Sequence, residues 1–265
     1  MLRRQLDWRE EGMGMRFFDC NTYIGLPRRG ELRPVKTAAE LVAEMDRAGI
    51  ERALVWHYTQ RDWSVGEGNR MIAEAIAPHR ERLVGTWCIL PPQCEEIPPR
   101  KEFFTAMKKA GIGALRAFPA EHRWHPRREV IGELFDEISE RGIPLIMSCD
   151  EHVHWPATLY DVMREFPTLT LVITDVGLWG PDRFFRPLVE NYQNVYVEIS
   201  QYILADGIKT FVKKYGAERL LFGTGFPRQD HGAMMLVVKH AEISEADKEK
   251  IAAGNMERIL AEARL

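Results

Sequence analysis

Short apolar runs alternate with segments of helical periodicity almost to the end of the chain. Runs rich in Val, Ile, Leu and aromatic residues predict strands at 15–20, 51–57 ("ERALVWH"), 82–90 ("RLVGTWCIL"), 111–118 ("GIGALRAF"), 143–149 ("IPLIMSC"), 169–174 ("LTLVIT"), 194–200 ("NVYVEIS") and 219–224 ("RLLFGT"). Between them, segments such as "TAAELVAEMDRAG" 37–49 and "EVIGELFDEISERG" 129–142 carry apolar residues at helical spacing and end on Gly, a stop signal. Strands that alternate with helices pair in parallel, because each crossover helix covers the sheet. Eight such units close most naturally into a single-domain (β/α)8 TIM barrel over 15–265, preceded by an N-terminal extension over 1–14. An open doubly wound sheet is the alternative, but no Gly-rich phosphate fingerprint follows the first strand. Long connections at 22–36 and 91–100 would overhang the C-terminal mouth of a barrel, where active sites sit.

The first strand raises the question of chemistry. It ends in "DCNTYIG", and alternation by two puts Asp19, Asn21 and Tyr23 on one face where the strand runs out. The strand endings, taken in order, resemble the amidohydrolase superfamily, in particular the amidohydrolase-2 branch that includes aminocarboxymuconate-semialdehyde decarboxylase-like enzymes. The resemblance spans about residues 15–260 and rests on "DCNTYIG", "IPLIMS", "FPTLTLVITDVG", "GTGFP" and "GNMERIL". It implies the barrel fold and a site built around one or two divalent metals, bound by two histidines of the first strand, one each of the fifth and sixth, and an Asp of the eighth. In this chain those positions are Asn21, Tyr23, Ser148, Asp175 and Gly225, and only Asp175 is a competent ligand. Zinc requires imidazole, thiolate or carboxylate ligands, commonly three or four of them. The expectation is a site without the inherited metal and with no cofactor.

The mouth is still expected to be polar. Asp175 and Glu198 stand at strand ends as candidate acid–base groups, and His57 is a third candidate. Asn21, Tyr23, Arg116, Ser148, Asp150, His154 and Arg228 are candidate substrate contacts, with Arg116 suited to clamping a carboxylate or phosphate, against the reading that it makes an internal salt bridge with Asp150 or Asp175. Structural readings compete at each position: Asp19 orients the first strand end, Asp175 pairs with Arg116 or a His, and His57 is a buried core histidine. In "DEHVHW" 150–155, His152 and His154 offer a relocated metal site with Asp150, Asp175 or Glu198, against the reading that they are plain loop histidines. Tyr23, Trp63, Trp124, Trp155 and Trp179 suggest walls for a flat or cyclic ligand, while Asp230 and His231 are further rim candidates.

Composition narrows the partners. The 265 residues are 45% hydrophobic and 28% charged, with a net charge of −3, which gives no electrostatic case for nucleic acid or an anionic membrane. No run reaches the length of a membrane span, and "MLRRQLDWREEGMGM" lacks the apolar core of a secretory signal. Cys20, Cys88, Cys94 and Cys149 show no metal spacing, which fits a reducing cytoplasm; Cys20 and Cys149 are expected to pack outward against helices. The expected partner is a small molecule, and self-association into a homo-oligomer is compatible with the sequence. Three functions stay open: a metal-independent hydrolase of lactonase or amidase type acting on a small cyclic or carboxylated metabolite, a catalytically silent barrel that binds a metabolite or partner, and a decarboxylase or lyase.

Overall fold

The computed structural model describes residues 14–28, 33–149, 157–178 and 180–265. The extension over 1–14 therefore lies, but for Gly14, outside the described residues. All eight strands form: β1 (Phe18–Ile24), β2 (Arg52–His57), β3 (Leu83–Cys88), β4 (Ile112–Ala117), β5 (Leu145–Ser148), β6 (Leu171–Thr174), β7 (Val195–Glu198) and β8 (Leu220–Leu221). They pair in parallel in chain order. Backbone bonds from Cys20 N to Phe222 O (3.0 Å), from Gly225 N to Asn21 O (2.9 Å) and from Tyr23 N to Phe226 O (3.2 Å) carry the ladder from β8 back to β1. The result is a (β/α)8 barrel.

The helices follow from local chemistry. Thr37 and Glu40 make a reciprocal capping box at the start of the helix Ala38–Ala48, and Gly49 ends it in a left-handed conformation at φ 79°. Leu41 and Met45 on that helix are fully buried against the barrel. Gly142 closes the helix Arg128–Arg141 in the same way. Among the described residues, no helix is long and apolar enough to cross a membrane.

Two packed layers result. The larger lies between strands and helices and includes Cys149, as its place next to the inward Ser148 requires. The smaller fills the lumen with Phe18, Cys20, Leu54, Ala114, Ile146, Val172, Tyr196 and Leu221, closed by Ala253, Met256 and Ile259 of the C-terminal helical segment. Cys20 thus faces the lumen rather than the helices. A register shift in β1 between Asp19 and Thr22 explains this correction: a bulge breaks strict alternation, so Asp19 and Asn21 do not share one face.

Asp19 turns instead to the closing strand. Its Oδ1 accepts from Asn21 N (3.0 Å) and Thr224 N (3.0 Å), and its Oδ2 accepts from the Thr224 hydroxyl. His231 Nδ1 lies 3.6 Å from Oδ2. A fully buried carboxylate is tolerated here because N–H and O–H donors replace its water, and those donors belong to the seam between β1 and the end of β8. Asp19→Ala would strand several buried donors together. Denaturant unfolding should show a loss of about 3–5 kcal/mol, with Asp19→Asn losing less because it keeps one acceptor oxygen.

Candidate active site

β1, the C-terminal ends of β4, β5, β6 and β7, and the connection after β8 bring six of the sequence candidates, Asn21, Arg116, Ser148, Asp175, Glu198 and Arg228, into one hydrogen-bonded network. Its centre is Asp175, one residue past β6, in a left-handed conformation at φ 55° that Asp tolerates better than most residues. Asp175 Oδ2 accepts from Ser148 Oγ (2.7 Å) and Thr174 Oγ1 (3.0 Å). Its Oδ1 accepts from Asn21 Nδ2 (3.2 Å) and Arg228 Nη2 (2.6 Å). The same Asn21 amide nitrogen donates to Glu198 Oε2 at 2.9 Å, so one NH2 group joins the two carboxylates. Asn21 Oδ1 faces Arg116 Nη2 at 3.4 Å, which fixes the sense of the amide.

Glu198 sits deeper, fully buried, with Ser200 donating its N–H to Oε1 and its hydroxyl to Oε2 (2.9 Å). Room for it comes from Gly223: a Cβ there would stand 2.3 Å from Glu198 Oε1. Ser200 and Gly223 were not singled out in the sequence. Ser200 was legible as the second residue after Glu198 on the same face, whereas the role of Gly223 depends on a contact between strands.

Two neighbouring carboxylates in one buried place cannot both ionise freely, and their surroundings push them apart. Burial alone would raise Asp175, but the Arg228 charge, the Ser148 hydroxyl, Arg116 and Thr174 outweigh it and hold Asp175 below the usual carboxylate range. Burial, then the charge of Asp175, push Glu198 up to about 8 despite the Ser200 donors. At neutral pH the pair therefore carries one negative charge and one proton.

The remaining candidates lie around this network. Tyr23, Trp56, Tyr58 and Phe118 form an aromatic cluster with neighbouring ring centroids 5.0–5.2 Å apart, and the Arg116 guanidinium stands 5.1 Å from the Trp56 ring. His57 is not joined to the carboxylates by any hydrogen bond among the described residues. Its Nδ1 accepts from Thr59 N at 3.2 Å, and its ring packs where a Cβ on Gly25 would meet it at 2.8 Å. Burial holds its pKa below the ordinary value. Trp124 is buried, Trp63 is exposed beneath Arg28, and His231 belongs to the Asp19 cluster. Asp150, His152, His154, Trp155 and Trp179 lie outside the described residues.

The donor set does not suit a divalent ion at the inherited position. A carboxylate offers about four lone-pair sites, and on Asp175 an amide, a guanidinium and two hydroxyls take them. Asn21 presents N–H groups, not a lone pair, to both carboxylates. Among the described residues, no group of three or more His, Cys, Asp or Glu could hold a metal ion.

A family model described as Amidohydrolase, of the amidohydrolase-2 type, matches residues 21–261. The chain belongs to the amidohydrolase family. Among solved structures it is similar to an uncharacterized TIM-barrel protein from Bordetella bronchiseptica, with a TM-score of 0.71, 19% identity and coverage of 94% of this chain and 99% of that one. It is also similar to a 5-carboxyvanillate decarboxylase from Sphingomonas paucimobilis, with a TM-score of 0.69 at 14% identity, covering 94% and 99% of the two chains. A probable 2-pyrone-4,6-dicarboxylic acid hydrolase from Acinetobacter baumannii, crystallised with citric acid bound, gives 0.66 at 14% identity over 93% and 100%. At these identities the likeness establishes the fold. No curated protein matches the sequence. Within this amidohydrolase-family barrel, the positions given for metal ligands on resemblance hold an amide, a phenol, a hydroxyl, a carboxylate and a glycine.

The split titration has a consequence for stability. Folded Glu198 keeps its proton between the ordinary value of 4.5 and about 8, where the unfolded chain has released it. Its contribution is full below that window and is lost as pH rises through it, with a slope of at most about 1.4 kcal/mol per pH unit. Wild type should therefore lose more unfolding free energy than Glu198→Gln between pH 5 and pH 8.5, as measured by urea melts across that range.

Proposed function

We propose that the protein is a metal-independent hydrolase of a small cyclic, carboxylated metabolite, with a lactone or cyclic amide as the bond cleaved. The observation that carries this reading is the meeting of two buried carboxylates, Asp175 and Glu198, on the single amide nitrogen of Asn21. A pair of carboxyl groups with different proton affinities is the arrangement used for acid–base work. In this reading Asp175, the member nearer the mouth, accepts the proton of the attacking water. Glu198 holds the pair's one proton before the attack and so leaves Asp175 as the charged member. The proton that Asp175 takes from water passes to the leaving oxygen or nitrogen as the ring opens, which restores the single negative charge. Asn21 fixes the spacing of the two, and Arg116 offsets their charge from below. The substrate class draws support from the ring carboxylates named for two similar structures, 5-carboxyvanillate and 2-pyrone-4,6-dicarboxylic acid.

One observation favours a second reading. Every lone-pair site of Asp175 is taken and Glu198 is fully buried, as in a barrel that binds a metabolite without transforming it.

Hydrolysis of 2-pyrone-4,6-dicarboxylate and decarboxylation of 5-carboxyvanillate, both followed with EDTA-treated full-length protein, separate the readings. Ring opening of the pyrone is expected, with a fall of about 10²–10⁴ in kcat for Asp175→Asn. Ring opening that Asp175→Asn leaves intact would overturn the assignment of the base. Decarboxylation without ring opening would replace hydrolase by lyase, and binding of either compound without turnover would establish the silent barrel.

A further inference from the structure

The four donors on Asp175 are not equivalent. Asn21 is a residue of β1, Ser148 and Thr174 close β5 and β6, and all three sit in the strand framework. Arg228 comes from the connection after β8, and its side chain is 43% exposed while that of Asp175 is 8% exposed. Of the four bonds to Asp175 among the described residues, the 2.6 Å ion pair with Arg228 is therefore the outermost and the one made by a long, flexible side chain. While it stands, Asp175 has no lone pair to give to water. A guanidinium at a barrel mouth is also the group best shaped to take a carboxylate from solution.

We propose that Arg228 is the specificity-determining residue of the site: an incoming carboxylate draws its guanidinium off Asp175, and that exchange uncovers Oδ1. This rests on the reading of Asp175 as the proton acceptor. An anionic ligand unmasks the base, and a neutral isostere of the same shape leaves it covered. No covalent bond changes in the exchange; one charge-assisted pair replaces another. Asp175 and the ligand compete for Arg228, so removing the charge of Asp175 helps the ligand. A purely structural Arg228–Asp175 bridge would stay closed in the complex, and the anion preference would survive in Arg228→Ala.

Calorimetry with isophthalate and isophthalamide tests the exchange without requiring turnover. Wild type should bind the dianion at least about 10-fold more tightly than the diamide, in line with a charge-assisted pair. Arg228→Ala should erase that preference and Arg228→Lys recover part of it. Asp175→Asn, with its fold checked by thermal melting, should tighten isophthalate binding several-fold. A crystal of the complex should show Arg228 on the ligand carboxylate and away from Asp175. Equal affinity for the two probes, a preference that survives in Arg228→Ala, weaker binding by folded Asp175→Asn, or a complex with the Arg228–Asp175 pair intact would each overturn the proposal. If the exchange is seen but Asp175→Asn leaves pyrone opening unchanged, Arg228 keeps its role in recognising the carboxylate and the assignment of Asp175 as the base fails.

Discussion

The constraint on which the site depends is charge: two carboxylates are buried side by side at the ends of β6 and β7, and something must offset them. Water is excluded from Glu198, and like charges at this range oppose each other strongly in a low-dielectric interior. The protein answers in two ways. It leaves the deeper carboxyl protonated, and it surrounds the outer one with N–H and O–H donors, two of them guanidinium or amide groups. Asn21 is the pivot, because one amide reaches both acids and receives Arg116 on its other side.

The rest of the barrel serves that placement. Asp19 fastens β1 to the segment after β8 and so fixes the height at which Asn21 enters the mouth. Gly223 leaves the space that Glu198 occupies. At the opposite end, Asn255 Nδ2 donates to Ala217 O (2.8 Å) and Leu220 O (2.9 Å), tying the C-terminal helix to the approach and first residue of β8. The lumen between them is filled by Ile146, Val172, Tyr196 and Leu221, so this is a packed core and the chemistry is confined to the mouth.

Much of this was legible in the sequence. Eight apolar runs bounded by helical segments give the barrel because the period changes from two to 3.6 at each boundary. Seven of the runs contain their strand, while the first, predicted at 15–20, only overlaps β1, which runs on to Ile24 into the segment read as a connection. Asp175, Glu198, Ser148, Asn21 and Arg116 could be placed together because each stands at a strand end. The bulge in β1 could not be read, since "FDCNTY" alternates acceptably in either register until β8 fixes one. For the same reason Cys20 was expected against the helices and lies in the lumen. His57 sits at a strand end like the others, but its ring faces Gly25 and the Thr59 amide, a difference set by tertiary packing. The direction in which the two acids titrate also depended on Arg228, a loop residue whose reach no sequence period describes.

The central claim is that N–H and O–H donors occupy Asp175, the one competent ligand left where the resemblance would place a metal, and that a protonated Glu198 stands beside it. Its most direct test is calorimetric titration of zinc, and separately of manganese, into EDTA-treated wild type and Asp175→Asn at neutral pH. The account predicts no binding event that the substitution removes, so the two proteins should give the same isotherm. One equivalent of metal bound by wild type and lost in Asp175→Asn would contradict it.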